Sequence, residues 1–346
     1  MIKSDLTANI KNLALQAGFA DVGITDASDL IGQTDYENWL KKGYHAGMDY
    51  LANNLDKRYS PSAICDNAKS VICLLVSFSP SQAETNPRNK LIASYAQGRD
   101  YHKVLKKRAH NLCDAIKKVA PSFEGRAFVD TAPIAERQLA VRAGLGWLGK
   151  SGIFISPTWG NQIFLAEIIC NIELDYDTPI DSQCADCSAC ISNCPTNAIL
   201  ADGKIDANKC LSYHTIENRG EIPQNMLDKV TQSIFGCDEC ITLCQFCKSA
   251  KPGDPEFMPT SDCENLTLSD LLKWSYDDWD NFTRGGARRR ATYEMYLRNA
   301  ILLAANTENQ NDSQLINQIL EIANRNPNLA RYAKWAIKKV KNRNQH

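Results

Sequence analysis

Long apolar runs are missing from this chain of 346 residues. None approaches the roughly 20 residues that a membrane span needs, so no spanning segment is expected. No secretory leader is expected either. The opening MIKSDLTANIKNLALQAGF has no unbroken apolar stretch and no small-residue cleavage site. Its Ile2, Leu6, Ile10, Leu13 and Ala17 recur at helical spacing instead, with Gly18 placed to end the helix. The expected location is the cytoplasm. A dinucleotide fingerprint also fails. The glycine-rich stretch from Gly144 to Gly152 follows a predicted helix, where that motif needs a strand before it. Its glycines fit a tight turn, or a backbone approached closely by a flat ligand.

Cysteine is what the chain has in excess, fourteen in all. In the cytosol that count points to metal or redox chemistry and away from disulfides. Cys184, Cys187, Cys190 and Cys194, followed by Pro195, spell C-x2-C-x2-C-x3-C-P. This is the ferredoxin run that wraps a 4Fe–4S cluster, with structural zinc as the alternative. In two-cluster ferredoxins each half lends its last cysteine to the other half's cluster. A second set is therefore expected downstream, and Cys210, Cys237, Cys240, Cys244 and Cys247 supply it. The spacing assigns Cys184, Cys187, Cys190 and Cys244 to one cluster. It assigns Cys194, Cys210, Cys237 and Cys240 to the other. Cys247 is left over, and its exchange for Cys244 stays open. Cys65, Cys73, Cys113, Cys170 and Cys263 fit no ligand spacing and read as buried thiols.

The fold class expected is α+β, in three parts. Residues 1–175 form an N-terminal α/β domain, with strands at Val71–Phe78, Arg126–Asp130, Gly152–Ser156 and Ile163–Cys170. Helices are expected at His102–Val119 and at Ile134–Ala143, the second stopped by Gly144. Residues 176–255 form a ferredoxin-like domain that opens near Pro179 and closes on a Pro- and Gly-rich linker. Residues 256–346 are helical. Leu268, Leu271, Leu272 and Trp274 make one amphipathic face. Three more follow, and together they fit a small HEAT-like stack.

The net charge of −1 hides an asymmetry. From Asn281 to His346 there are 12 Lys or Arg against 4 Asp or Glu, so the body before it is acidic. A basic tail suits a polyanion such as a nucleic acid, and a solvated lysine-rich surface is the alternative. The cluster Arg284, Arg288, Arg289 and Arg290, interleaved with glycines, sharpens the first reading. Arg298 and Arg219 are further candidates for the same surface.

Taken together, FVDTAPIAER, GLGWLGK, the cysteine run ending CPTNAI, KCLSYHTIE, IFGCDEC and the arginine-rich element resemble epoxyqueuosine reductase over nearly the whole chain. The resemblance implies a cobalamin-dependent iron–sulfur enzyme that reduces the epoxide of epoxyqueuosine, at the tRNA wobble position, to an alkene. It implies tRNA as a partner, an external donor such as a flavodoxin or ferredoxin, and a monomer. By its motif, Asp130 becomes the proton donor, for which its pKa must be raised. Capping of the turn at Thr131 is the other reading of that Asp. Asp130, Lys150, Ser151, Ser212, Cys237 and Asp238 become candidates to line the corrin. A D-x-H-x-x-G motif is absent, so His102 reads as a hydrogen-bonding residue and not as a cobalt ligand. A reductive dehalogenase-like enzyme acting on a small molecule, and a non-enzymatic electron-transfer or RNA-binding module, are the competing readings. The first usually carries an export signal, and the second leaves the domain before the cysteines unexplained.

Overall fold

The computed structural model describes residues 2–80, 89–201, 203–307 and 312–343. Among these the chain forms strands β1 (Asp21–Asp26), β2 (Ser70–Ser77), β3 (Gly125–Phe128), β4 (Trp147–Leu148), β5 (Phe154–Ile155) and β6 (Ile163–Cys170). The main sheet runs in the order β1-β2-β6-β3, and every neighbouring pair is antiparallel. This corrects the α/β label given to the first domain. No parallel crossover exists in this sheet, so the unit is α+β.

An antiparallel sheet usually wets one face, but this one is covered on both. Ile72, Leu74 and Val76 of β2 pack with Ile10, Leu105 and Leu112, which belong to the helices Lys3–Gln16 and Tyr101–Val119. Val71, Cys73 and Leu75 face the other way, against Leu139 and Ala140 of the helix Glu136–Arg142. That double cover is why β2 reads as a continuous apolar run and is buried at all eight positions. Each fully buried side chain of this kind stabilises the fold by about 1.5–3 kcal/mol.

The glycine-rich stretch turns the chain from the Glu136–Arg142 helix into the β4–β5 hairpin. From Gly144 to Ser151 it also satisfies the G-x4-G-K-S spacing of a phosphate-binding loop. It leads from a helix into a strand, the reverse of the strand-to-helix order that such a loop needs, so it presents no helix N-terminus to a phosphate. What its backbone approaches is the chain itself: a Cβ on Gly146 would sit 2.0 Å from the Ile155 carbonyl oxygen.

The helical half is built around Tyr293–Asn306, whose residues from Met295 to Ala305 are all buried. Ile222, Leu227, Ile234 and Phe235, which lie between Cys210 and Cys237, pack into that same core, as do Ile92 and Ala96. The cysteine loops are thus strung between a sheet on one side and a helical core on the other.

Candidate functional site

Asp130 follows the end of β3. The strand expected to reach it stops at Phe128, because the Thr131 N–H turns back to the Val129 carbonyl at 2.6 Å. Asp130 itself takes a positive φ of 56° and leaves half of its side chain exposed. Two residues from the start of the Tyr101–Val119 helix meet it. The Tyr101 hydroxyl donates to Asp130 Oδ2 at 2.6 Å, and His102 Nε2 lies 2.9 Å from the same oxygen. His102 Nδ1 lies 2.8 Å from Oδ1 of Asp100, the residue that caps this helix. Tyr101 stacks on His102 and on Phe164, with ring centroids 4.0 and 4.2 Å away.

This geometry fixes a proton. Both ring nitrogens of His102 face carboxylate oxygens, which accept and do not donate. Either the imidazole carries two N–H groups or one carboxylate is protonated. Burial pulls the His102 pKa down, but its bonds to Asp130 and Asp100 outweigh that and raise it. Asp130 is held below the usual carboxylate range, first by the His102 bond and then by the Tyr101 hydroxyl, against burial that acts the other way. The raised pKa expected for Asp130 is therefore corrected. In this arrangement the proton rests on His102, with Asp130 as the carboxylate beside it. The sequence carried a signal for this, since Asp100 and His102 bracket a helix start, but the two residues are silent about where Asp130 lies.

Arg290 lies close enough for its charge to act on Asp130, paired with Glu217 by two bonds of 2.7 Å and lying 5.5 Å from the Tyr50 ring centroid. Its positive charge contributes to the lowering of Asp130. A cavity of about 460 Å³ lies beside the second cysteine set, and Ser94, Gln162, Asn193, Cys237, Asp238 and Cys247 contribute to its wall. Asp238 Oδ2 accepts both the backbone N–H and the hydroxyl of Ser94 at 2.7 Å, and the Gln162 amide donates to that hydroxyl at 3.0 Å. Of the residues put forward to line a corrin, only Cys237 and Asp238 reach this cavity. Lys150 donates to the Ala185 carbonyl at 2.5 Å, Ser151 is buried, and Ser212 precedes the Tyr213–Glu217 turn.

Among the described residues no three His, Cys, Asp or Glu side chains lie close enough together to hold a metal ion as they stand, but Cys184, Cys187 and Cys190 are neighbours, as are Cys194, Cys210, Cys237 and Cys240. Burial raises the Cys240 thiol, and Cys237, Cys210 and Cys194 add to that. Burial likewise pushes Cys237 up to about 12, with Cys210 acting on it. Cys184 and Cys187 act on Cys190. Thiols crowded together with raised pKa values become ligands by losing protons to a bound metal, which removes the crowding penalty. The donor set suits iron–sulfur clusters. Cys247 points to the Gln162 side-chain oxygen, 3.6 Å away.

The arginines divide. Arg288 is 5% exposed, and its guanidinium bonds the carbonyls of Phe282, Ala96, Gln97 and Gly98. Arg298 is 4% exposed and holds the carbonyls of His214, Asn218 and Gly220. Both are corrected: they stitch loops to the helical core and present no charge to a phosphate. Arg284 and Arg289 are exposed enough to reach a partner, although both pair with Asp280. Arg219 bonds the Arg290 carbonyl at 2.5 Å.

Residues 58–131 match the family model "Epoxyqueuosine reductase QueG, DUF1730", and residues 183–246 match "4Fe-4S double cluster binding domain". The epoxyqueuosine reductase of Cyclobacterium marinum is 39% identical over 297 residues, 85% of this chain and 95% of that protein. The fold is similar to a crystal structure of epoxyqueuosine reductase with a tRNA-Tyr epoxyqueuosine-modified tRNA stem loop. The TM-score is 0.89 at 26% identity, over 97% of this chain and 90% of that one. It is equally similar to the Bacillus subtilis enzyme captured with its catalytic aspartate loop swung out of the active site, with a TM-score of 0.88 at 26% identity and the same coverage. The matches span both the sheet that carries Asp130 and the cysteine loops, and the chain belongs to the epoxyqueuosine reductase family of oxidoreductases.

Proposed function

We propose that this chain reduces the epoxide of epoxyqueuosine in the tRNA anticodon to the alkene of queuosine. The observation that carries the proposal is the proton-sharing chain Asp100–His102–Asp130, which ends on a half-exposed Asp130 side chain. Conversion of an epoxide to an alkene consumes two electrons and two protons and releases the oxygen as water. When bound, two 4Fe–4S clusters and a cobalamin supply the electrons.

The chain's own residues handle the protons. Asp130, whose side chain is half exposed, takes a proton from His102 and passes it to the departing oxygen. Tyr101 fixes the Asp130 carboxylate, and Asp100 fixes the imidazole. Cys184, Cys187, Cys190 and Cys244 would hold one cluster, and Cys194, Cys210, Cys237 and Cys240 the other. Asp238, Ser94 and Gln162 offer hydroxyl, amide and carboxylate groups that suit the amide-bearing rim of a corrin.

Arg219, Arg284, Arg289 and Arg290 are the remaining phosphate candidates. The helices Asp312–Arg325 and Ala330–Arg343 pack against each other, which supports a HEAT-like pair as part of the docking surface. We place the protein in the cytoplasm as a monomer fed by a flavodoxin or ferredoxin. No described helix is long and apolar enough to cross a membrane.

Anaerobic turnover of epoxyqueuosine-containing tRNA, by protein reconstituted with iron, sulfide and cobalamin, tests the reading. Nucleoside mass spectrometry should show queuosine. Unchanged epoxyqueuosine with fully loaded protein and a strong reductant overturns it.

A further inference from the structure

Beneath the Asp130 loop lies a second pair of carboxyl groups that the proton chain does not use. Glu167 sits in β6 opposite Cys73 of β2 and is fully buried, at 0% exposure. Cys73, Val71, Leu75, Leu139 and Ile169 make this side of the sheet an apolar core. No N–H or hydroxyl among the described residues donates to either Glu167 oxygen. The helix Glu136–Arg142 packs against β6, and the carboxyl of its first residue, Glu136, is the group that acts on Glu167 most strongly. Two buried carboxylates that act on each other in this way cannot both be ionised; one proton between them turns repulsion into an O–H···O bond.

The charged and titratable groups facing the pair are Asp130 from its loop, Arg137 from the helix and Cys73 from β2. The Arg137 guanidinium is bonded to the Gly152 carbonyl, and its charge opposes retention of the proton on Glu136 more weakly than burial and Asp130 favour it. Burial, then the charges of Asp130 and of the partner carboxyl, favour retention of the proton.

Glu136 has a second contact. Its Oε1 accepts the Asp130 backbone N–H at 2.5 Å. Asp130 stands in the left-handed region, which costs a non-glycine residue about 1 kcal/mol or more. The inward position of the loop therefore needs something to hold it.

We infer that Glu136 and Glu167 share one proton, and that the charge remaining on Glu136 latches the Asp130 loop inward. Glu167 is then a positioning residue, acting on the reaction through Glu136. The inference rests on the assignment of Asp130 as the group that delivers protons. Complete protonation of the pair removes the charge from the latch, so acidification should loosen the loop.

Two readouts without substrate test this on the full-length protein. At mildly alkaline pH the infrared spectrum of the wild type should contain a protonated carboxyl C=O band that Glu167→Gln removes. Amide exchange in peptides spanning Asp130 should speed up about tenfold in Glu136→Ala, since the bond closing the loop is gone. Glu136→Gln keeps an acceptor oxygen without the charge and should fall between the two. Glu167→Gln, whose amide can donate to a fully ionised Glu136, should exchange no faster than wild type. The inference is overturned if the carboxyl band is absent from the wild type, or if Glu136→Ala exchanges like the wild type. Should Glu136→Ala fail to fold, Glu136→Gln decides the same point. A failure of the proton-delivery reading looks different: Asp130→Asn would turn over normally while both readouts still behave as described.

Discussion

The Asp130 side of the molecule and the cysteine side are held in opposite ways. Asp130 hangs from a sheet whose central strand is buried at every position, and it is clamped by Tyr101, His102 and Glu136. Between Ser182 and Ala250 no described α-helix exceeds four residues, and the cysteines sit on single turns. Packing preorganises the first site. The second has almost no core of its own and must draw its order from what it binds and from its two neighbours. One chain therefore carries a well-packed sheet that positions Asp130 next to a cysteine-rich segment that lacks a core of its own.

The largest effects should come from breaking the cysteine side alone. Reconstituted protein should hold about eight irons. Cys190→Ala and Cys210→Ala should each lose about half of that iron. Limited proteolysis should then cut between residues 182 and 250 while amide exchange in β2 stays slow. Cys247→Ala should keep its iron. Loss of protection in β2 in either ligand variant would show that the two sides are not held separately.

On the other side, Asp130→Asn should leave iron content and melting temperature unchanged and lower single-turnover rates by about a thousandfold, within the range for a lost general acid. Wild-type rates in that variant would remove Asp130 from the chemistry.

The buried arginine that ties the helical half to the turn before Tyr101 gives a smaller effect. Arg288→Ala leaves carbonyls of the Ala96–Gly98 turn without a donor and should cost about 3 kcal/mol of stability by denaturant titration. The exposed neighbour Arg289→Ala should change stability by less than about 0.5 kcal/mol. Equal losses in the two variants would contradict the division of the arginine cluster.

The smallest effect concerns pH. The pKa of His102 is raised above the ordinary 6.5, so its proton is fully present below that value and is lost as pH rises through the higher folded value. Single-turnover rates of the wild type should fall over that alkaline range. His102→Asn should be slower by about tenfold on the acid side and lose that limb. A wild-type profile that stays flat through the range would take His102 out of the proton chain.

The sequence was informative where constraints are local. Cluster ligands must come at short spacing, so the cysteine set could be read directly. The fully covered strands β2 and β6 announce themselves as apolar runs. Legibility ends where a residue's role depends on a distant partner. Arg288 and Arg289 are neighbours in one run of arginines, and only the Ala287–Arg290 turn sends the first inward and the second out. Glu167 was available as a signal, a lone carboxylate inside IFLAEIIC, but its partner Glu136 lies in another element. The strained backbone at Asp130 leaves no trace in composition. Its importance came through resemblance, and resemblance was silent on which neighbour holds the proton.

The order of strands also bears on how the protein is made. β3 and β2 both pair with β6, so the sheet cannot close until Cys170 has been synthesised, and it needs no strand beyond that point. Every cluster cysteine lies later in the chain. During translation the sheet can close while Cys184 is still within the ribosome. Iron then meets a scaffold that already exists, and a cell starved of iron would accumulate a protein with its sheet formed and its 4Fe–4S segment unfilled.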